Sequence, residues 1–454
     1  MSQSPLHPFH EEAVQLQRHC KLGLHTGTAR VGRISHNDNV LLNWFRQLRG
    51  NAGLPEEESA ERTFGAGFVV PASGNALLFL NSSTAETLPR DFGADLTMQG
   101  DSPDGPFTLH CPQFYVHARS DRRQQRGWAV ATPVNETLVI SYGQPRPIAR
   151  VEAVINNFDF ESGNGPIELA AGHSKVLRVE AAGRTVEFAW RQGHDHLKTL
   201  VEAGVYLSPA LTTFSFPAWE DASDDELFDF ALSVAWLCAV VVRQHTGVPV
   251  LAFLDEHDRV VKRLIGNPVE SNYRGDSILP HMQVEHGMPK LFRDCFEEHV
   301  RLRRSPLWSR LCVLIACIED PPYVEQKHAT LMAAIELLIR NSLVEGKHLT
   351  AEAAERKTLN ELIGAARIAL RWDVPKHYTA GDRHRDLRNA VAHGGDLPYD
   401  PTTVRRDFDK WYLFLLRRFL MRLGFNGPVA CPQRGFAAMS RVDEFGEEHN
   451  AFGA

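Results

Sequence analysis

The run RHRDLRNAVAHGG, from Arg383 to Gly395, is the most informative stretch of the chain. Leu387, Ala390 and Val391 recur at helical spacing and predict a short helix from about Asp382 to His393, stopped by Gly394 and Gly395. Arg388, Asn389 and His393 fall off that apolar stripe, and polar groups at a helix end suit an open site. His393 lies in the last turn, where the negative end of the helix dipole favours imidazolium.

On both sides of this run the chain reads as helical, from about His286 to Leu423. Asp320 is the expected N-cap of a long helix, with Pro321 at its first position. Val324, His328, Leu331, Met332, Ile335, Leu338 and Ile339 then fall on one face. Thr358 and Glu361 form a capping box ahead of LIGAARIAL. Thr402 is the expected cap of the last long helix, whose Val404, Phe408, Trp411, Tyr412, Leu415, Leu416, Phe419 and Leu420 make an apolar ladder ending at Gly424. Such helices, joined by short to moderate connections, predict an antiparallel bundle.

Upstream the pattern changes. TFGAGFVVP, ALLFL, PFTLHCPQFYVHA, GWAVATP, TLVISYG and TVEFAWRQG are short β-rich runs punctuated by Gly, Pro, Asn and Asp, which suits an antiparallel sandwich or barrel. Ser223 and Glu226 form another capping box, before the near-continuously apolar LFDFALSVAWLCAVVV, expected to be a helix buried between two layers. VPVLAFLD and RVVKRLIG then read as a hairpin turning at Glu256, His257 and Asp258. The fold class is therefore α+β. Its expected parts are an N-terminal segment (1–60), a β-rich domain (61–215), a connecting helix and hairpin (216–285), a helical bundle (286–425) and a tail (426–454).

Composition bounds the function. A chain of 454 residues, 43% apolar and 23% charged, is an ordinary globular mixture expected to form two or three domains. A net charge of −7 excludes a generally basic surface, so nucleic-acid contact would be local. Arg371 to Phe425 supplies such a region, with eleven Lys/Arg against seven Asp/Glu. Arg383, Arg385, Arg405 and Arg406 are its candidates for RNA contact, with a solvated helix face as the plain alternative. Seven cysteines without Cys-x-x-Cys spacing read as reduced thiols, Cys312 and Cys317 as small buried hydrophobes. The N-terminus shows no secretory pattern, and the longest apolar run contains Asp229, so a cytoplasmic protein without a membrane span is expected. Walker A, His-Glu-x-x-His, Gly-x-Ser-x-Gly and strand-linked Gly-x-Gly-x-x-Gly motifs are missing, which disfavours NTPases, zincins, serine hydrolases and dinucleotide oxidoreductases.

Arg388, Asn389 and His393 match the Arg-Asn-x-x-x-His form of the HEPN motif. The C-terminal stretch, with Glu336 inside AAIELLIR, resembles the HEPN domain of ApeA-like antiphage proteins, and the β-rich region, helix and hairpin before it resemble that group in layout. The resemblance implies a metal-independent endoribonuclease that needs no cofactor and acts in abortive infection. It also implies a homodimer whose two motifs face each other across one RNA cleft, with a phage-derived trigger sensed by the N-terminal domain. His393 would serve as acid or base, Arg388 would hold the phosphate, and Asn389 would bind phosphate or orient His393. Glu336 would support Arg388, or alternatively form a structural ion pair.

Arg–His spacing alone carries little weight. It recurs at Arg18/His25, Arg30/His36, Arg191/His196, Arg293/His299 and Arg371/His377 in a chain with 21 histidines. Helical context and the Gly-Gly stop distinguish Arg388 and His393. Two other readings stay open: a non-catalytic HEPN module for dimerisation or for protein or nucleotide binding, and chemistry housed in the β-rich domain. His194, Asp195 and His196 have the donors for a metal, but a polar surface turn is the simpler reading, and no metal is expected.

Overall fold

The computed structural model describes strands between Val14 and Pro133 and the stretches 138–143, 146–160, 176–191, 210–265, 285–321, 323–375 and 401–430, with short pieces between and after them. The chain is α+β. It forms two compact units that interleave in sequence: Met1–Phe158, Glu187–Ala231 and Thr246–Tyr273 in the first, and Asp159–Val186, Leu232–His245 and Arg274–Ala454 in the second.

The strands include Leu138–Tyr142 (β1), Arg150–Asn156 (β2), Val176–Ala181 (β3), Arg184–Trp190 (β4), Thr212–Pro217 (β5), Gly247–Leu254 (β6) and Val260–Ile265 (β7). In the first unit the antiparallel order is β4-β5-β2-β6-β7-β1, continuing into Gly105–Cys111. Period-2 chemistry is plain in β5, where Phe214 and Phe216 are buried between half-exposed Thr213 and Ser215. Phe188 meets both Phe158 and Phe214 at 5.7 Å. β6 is apolar along nearly its whole length because it is buried almost throughout. It pairs with β7 as the expected hairpin. The tip is organised by Asp255, whose carboxylate accepts from the backbone N–H of His257 and Arg259 and pairs with Arg146 and Arg259.

The sheet reaches beyond 61–215 on both sides. Arg18–Leu22 and His25–Ala29 join it, and His25–Ala29 pairs in parallel with Arg62–Val69, an exception to the expected antiparallel pattern. Local periodicity reveals strands but not partners distant in sequence.

Helices among the described residues include Asp224–Val242 (α1), Met288–Arg303 (α2), Pro306–Cys317 (α3), Val324–Glu345 (α4), Ala351–Glu355 (α5), Leu359–Ala369 (α6) and Pro401–Arg422 (α7). Both expected capping boxes form, Ser223 with Glu226 and Thr358 with Glu361. Within the second unit α2 packs on β3, and α3, α5, α6 and α7 all pack on α4. The shared core holds Leu331, Ile335, Leu338, Ile339, Leu362, Trp411 and Leu415, and the Trp308 ring stacks on Phe419 at 4.8 Å. The expected α7 ladder is buried from Val404 to Leu420. Gly424, at φ 91°, ends it with a Schellman turn: its N–H bonds the Met421 carbonyl and the Phe425 N–H bonds that of Leu420. Arg422 bridges Glu298 of α2 and Glu345 of α4.

Two helix starts differ from expectation. Tyr323, not Asp320, is the N-cap of α4, and it supplies no side-chain bond. Pro321 precedes a second proline, which disfavours helical geometry at Pro321. Asp320 instead closes the turn after α3, its N–H bonding the Cys317 carbonyl at 3.0 Å. Likewise α7 begins at Pro401, so Thr402 sits inside its first turn. Among the described residues no helix is long and apolar enough to cross a membrane.

Trp308 is wholly buried, so Trp308→Ala should cost about 3–5 kcal/mol in denaturant unfolding. Thr358→Ala, which removes only an exposed cap, should cost about 1 kcal/mol.

Candidate functional site

Arg383, Arg385, Arg388, Asn389 and His393 lie outside the described residues. Their segment of chain runs between α6 and α7, and both of those helices pack on α4. Glu336, half-buried on α4, pairs with Arg340 one turn along at 2.6 Å. Arg340 also donates to the Lys357 carbonyl at 3.4 Å, tying α4 to the approach to α6. Arg405 is exposed on α7, paired with Asp409 at 3.1 Å and lying over the Phe408 ring. Burial holds the Asp409 carboxyl above its ordinary range, against the opposing pull of Arg405. Arg406 belongs to α7, but its side chain is outside the described residues.

One competing Arg–His pair is disposed of by its geometry. Arg293 is exposed on α2 and paired with Glu285 and Asp294, whereas His299 is fully buried on the same helix. Six residues along a helix turn the two groups to different faces, so they share no site. His194 is also a packed residue, stacked on Trp190 at 4.3 Å with its Nδ1 3.1 Å from Asp195. His196 is outside the described residues.

A cluster that sequence reading missed lies in the second unit. The donor atoms of His245, Cys317 and Asp320 all fall within 4.8 Å of one another. The local chain explains the meeting. Arg243 turns left-handed at φ 51° to end α1, which brings His245 to the helix end beside Trp236. Cys317 is the final residue of α3, and Asp320 follows in the turn closed by its own N–H. His245 Nε2 lies 2.6 Å from Cys317 Sγ. Neighbouring Glu319 is engaged with Lys327 at 3.0 Å and Arg243 at 3.7 Å. Burial lowers the His245 pKa, with Asp320 pulling the other way.

The expected burial of the cysteines holds for Cys312, whose thiol is pushed up to about 12 by desolvation, while Cys317 is only half-buried. His245 and Cys317 stand 72 residues apart, so no local motif announces their pairing. The Cys317–Asp320 spacing was the one local hint.

The chain matches no known protein-family model, no curated protein and no solved structure.

His299 gives a pH test of this geometry. Desolvation pushes its pKa down to about 4 from 6.5, opposed only by the Ser233 backbone carbonyl. The unfolded chain therefore takes up this proton first as pH falls. Stability should be full above pH 6.5 and should drop by about 3 kcal/mol on descending to pH 4. In His299→Gln that part of the pH slope should vanish from urea unfolding measured across the window.

Proposed function

We propose that the protein is a metal-independent endoribonuclease of the HEPN type, acting in prokaryotic antiphage defence, with Arg388, Asn389 and His393 as its catalytic groups. The observation that carries this reading is the placement of RNAVAHGG in the chain between two helices that share α4 as their support. A catalytic run held at both ends by one packed unit can be pre-organised, which a run in a free tail cannot. On this reading the helical unit is a HEPN bundle and Glu336 reaches the site through Arg340.

The chemistry follows from the groups. A base removes the proton of a ribose 2′-OH, and the 2′-oxygen bonds to the adjacent phosphorus. The bond from phosphorus to the 5′-oxygen breaks, and an acid protonates that oxygen. His393 is suited to acid or base duty near neutral pH, and Arg388 to holding the charged phosphoryl oxygens bidentately. Asn389 donates to phosphate or orients the imidazole. One histidine cannot supply both protonation states at once, so the site is composite, with the second motif coming from a second copy of the chain. The β-rich region would sense a phage-derived trigger in the cytoplasm, and Arg405 would add to phosphate attraction.

Purified full-length protein incubated with total RNA, without added metal, should cleave it. Arg388→Ala and His393→Ala should each lower the rate by about 10²-fold or more while leaving the unfolding transition unchanged. Intact RNA under all activating conditions would instead favour a non-catalytic dimerisation or binding module.

A further inference from the structure

We propose that His245, Cys317 and Asp320 form a binding site for a zinc-class divalent transition-metal ion, with a fourth position left to solvent. Imidazole, thiolate and carboxylate together are the donor set that zinc accepts, whereas magnesium and calcium favour oxygen alone. Three protein ligands and one open position is a familiar coordination number for that ion.

The geometry is within reach of coordination. Bond lengths of about 2.3 Å to sulfur and about 2.0–2.2 Å to nitrogen and oxygen set tetrahedral donors roughly 3.4–3.6 Å apart. The three donors here already lie within 4.8 Å of one another, with His245 Nε2 and Cys317 Sγ 2.6 Å apart. To reach those spacings the His245–Cys317 pair would open by about 1 Å, and no pair would have to close by more than about 1.4 Å. Asp320 is exposed and gives an ion access from solvent, while the half-buried His245 and Cys317 hold the inner side.

A further feature favours a cation at this place. Cys317 ends α3, and His245 follows the end of α1 by three residues, so two helix C-termini direct partial negative charge toward the cluster. An ion bound here would pin the end of α1 to the end of α3 and to the turn leading into α4. It would thus cross-link chain positions 72 residues apart inside the helical unit. The site stands independently of the chemistry assigned to Arg388 and His393.

The test uses the full-length, untagged protein, stripped with a chelator and titrated with Co²⁺ and then Zn²⁺. Binding should reach one ion per chain. Co²⁺ should give a thiolate-to-cobalt charge-transfer band together with visible bands of tetrahedral intensity, and Zn²⁺ should displace it and raise the Tm. Cys317→Ser should abolish the charge-transfer band. Asp320→Asn, a near-isosteric change at an exposed position, should keep the band but weaken Zn²⁺ binding by about tenfold or more. A titration of wild-type protein with no thiolate-to-cobalt band would overturn the proposal and leave a hydrogen-bonded thiol–imidazole pair. A band unchanged in Cys317→Ser, or Zn²⁺ affinity unchanged in Asp320→Asn, would overturn it equally.

Discussion

Helix α4 must be covered along most of its length, and that requirement organises the second unit. Leu331, Met332, Ala334, Ile335, Leu338 and Ile339 are all withdrawn from water, and α3, α6 and α7 provide the cover. The driving force is apolar burial, about 25 cal/mol for each Å² removed from solvent, and it is not directional. Direction comes from the polar contacts at the helix ends. Arg422 spans Glu298 and Glu345, Thr358 and Glu361 fix the start of α6, and Gly424 fixes the end of α7. Any activity assigned to residues 370–400 depends on this frame, since both ends of that segment are rooted in helices lying on α4.

The polar groups inside the protein show the same economy. Asp255 is nearly inaccessible, but its oxygens take two backbone N–H donors and two guanidinium groups, which hold its carboxyl well below the usual range. Asn156 accepts the Gly247 N–H at 2.6 Å where the β2–β6 register shifts, so the irregular point in that ladder has a side-chain partner. His299 follows a different course: it is held neutral in the core and makes the helical unit acid-sensitive.

Much of this was legible in the sequence wherever the controlling interaction is local. The two capping boxes, the β6–β7 hairpin, the α7 ladder and its glycine stop each depend on residues within a turn or two of one another. Asp320 resembles a cap, but α4 starts after Tyr323 because the consecutive prolines after Asp320 disfavour a helix there. Contacts between distant residues were not legible. Nothing in RHCKL or HTGTA announces a parallel partner at Arg62–Val69. Nor does His245 announce Cys317, since one side chain follows a helix rich in valine and the other ends a helix read as plain core.

If His393 and Arg388 cut RNA through the 2′-oxygen, as proposed, the ends left on the fragments report it directly. Mass spectrometry of the products should find 2′,3′-cyclic phosphate on one fragment and 5′-hydroxyl on the other. Fragments bearing 3′-hydroxyl and 5′-phosphate would contradict it, because those ends require water or another external nucleophile in place of the ribose hydroxyl.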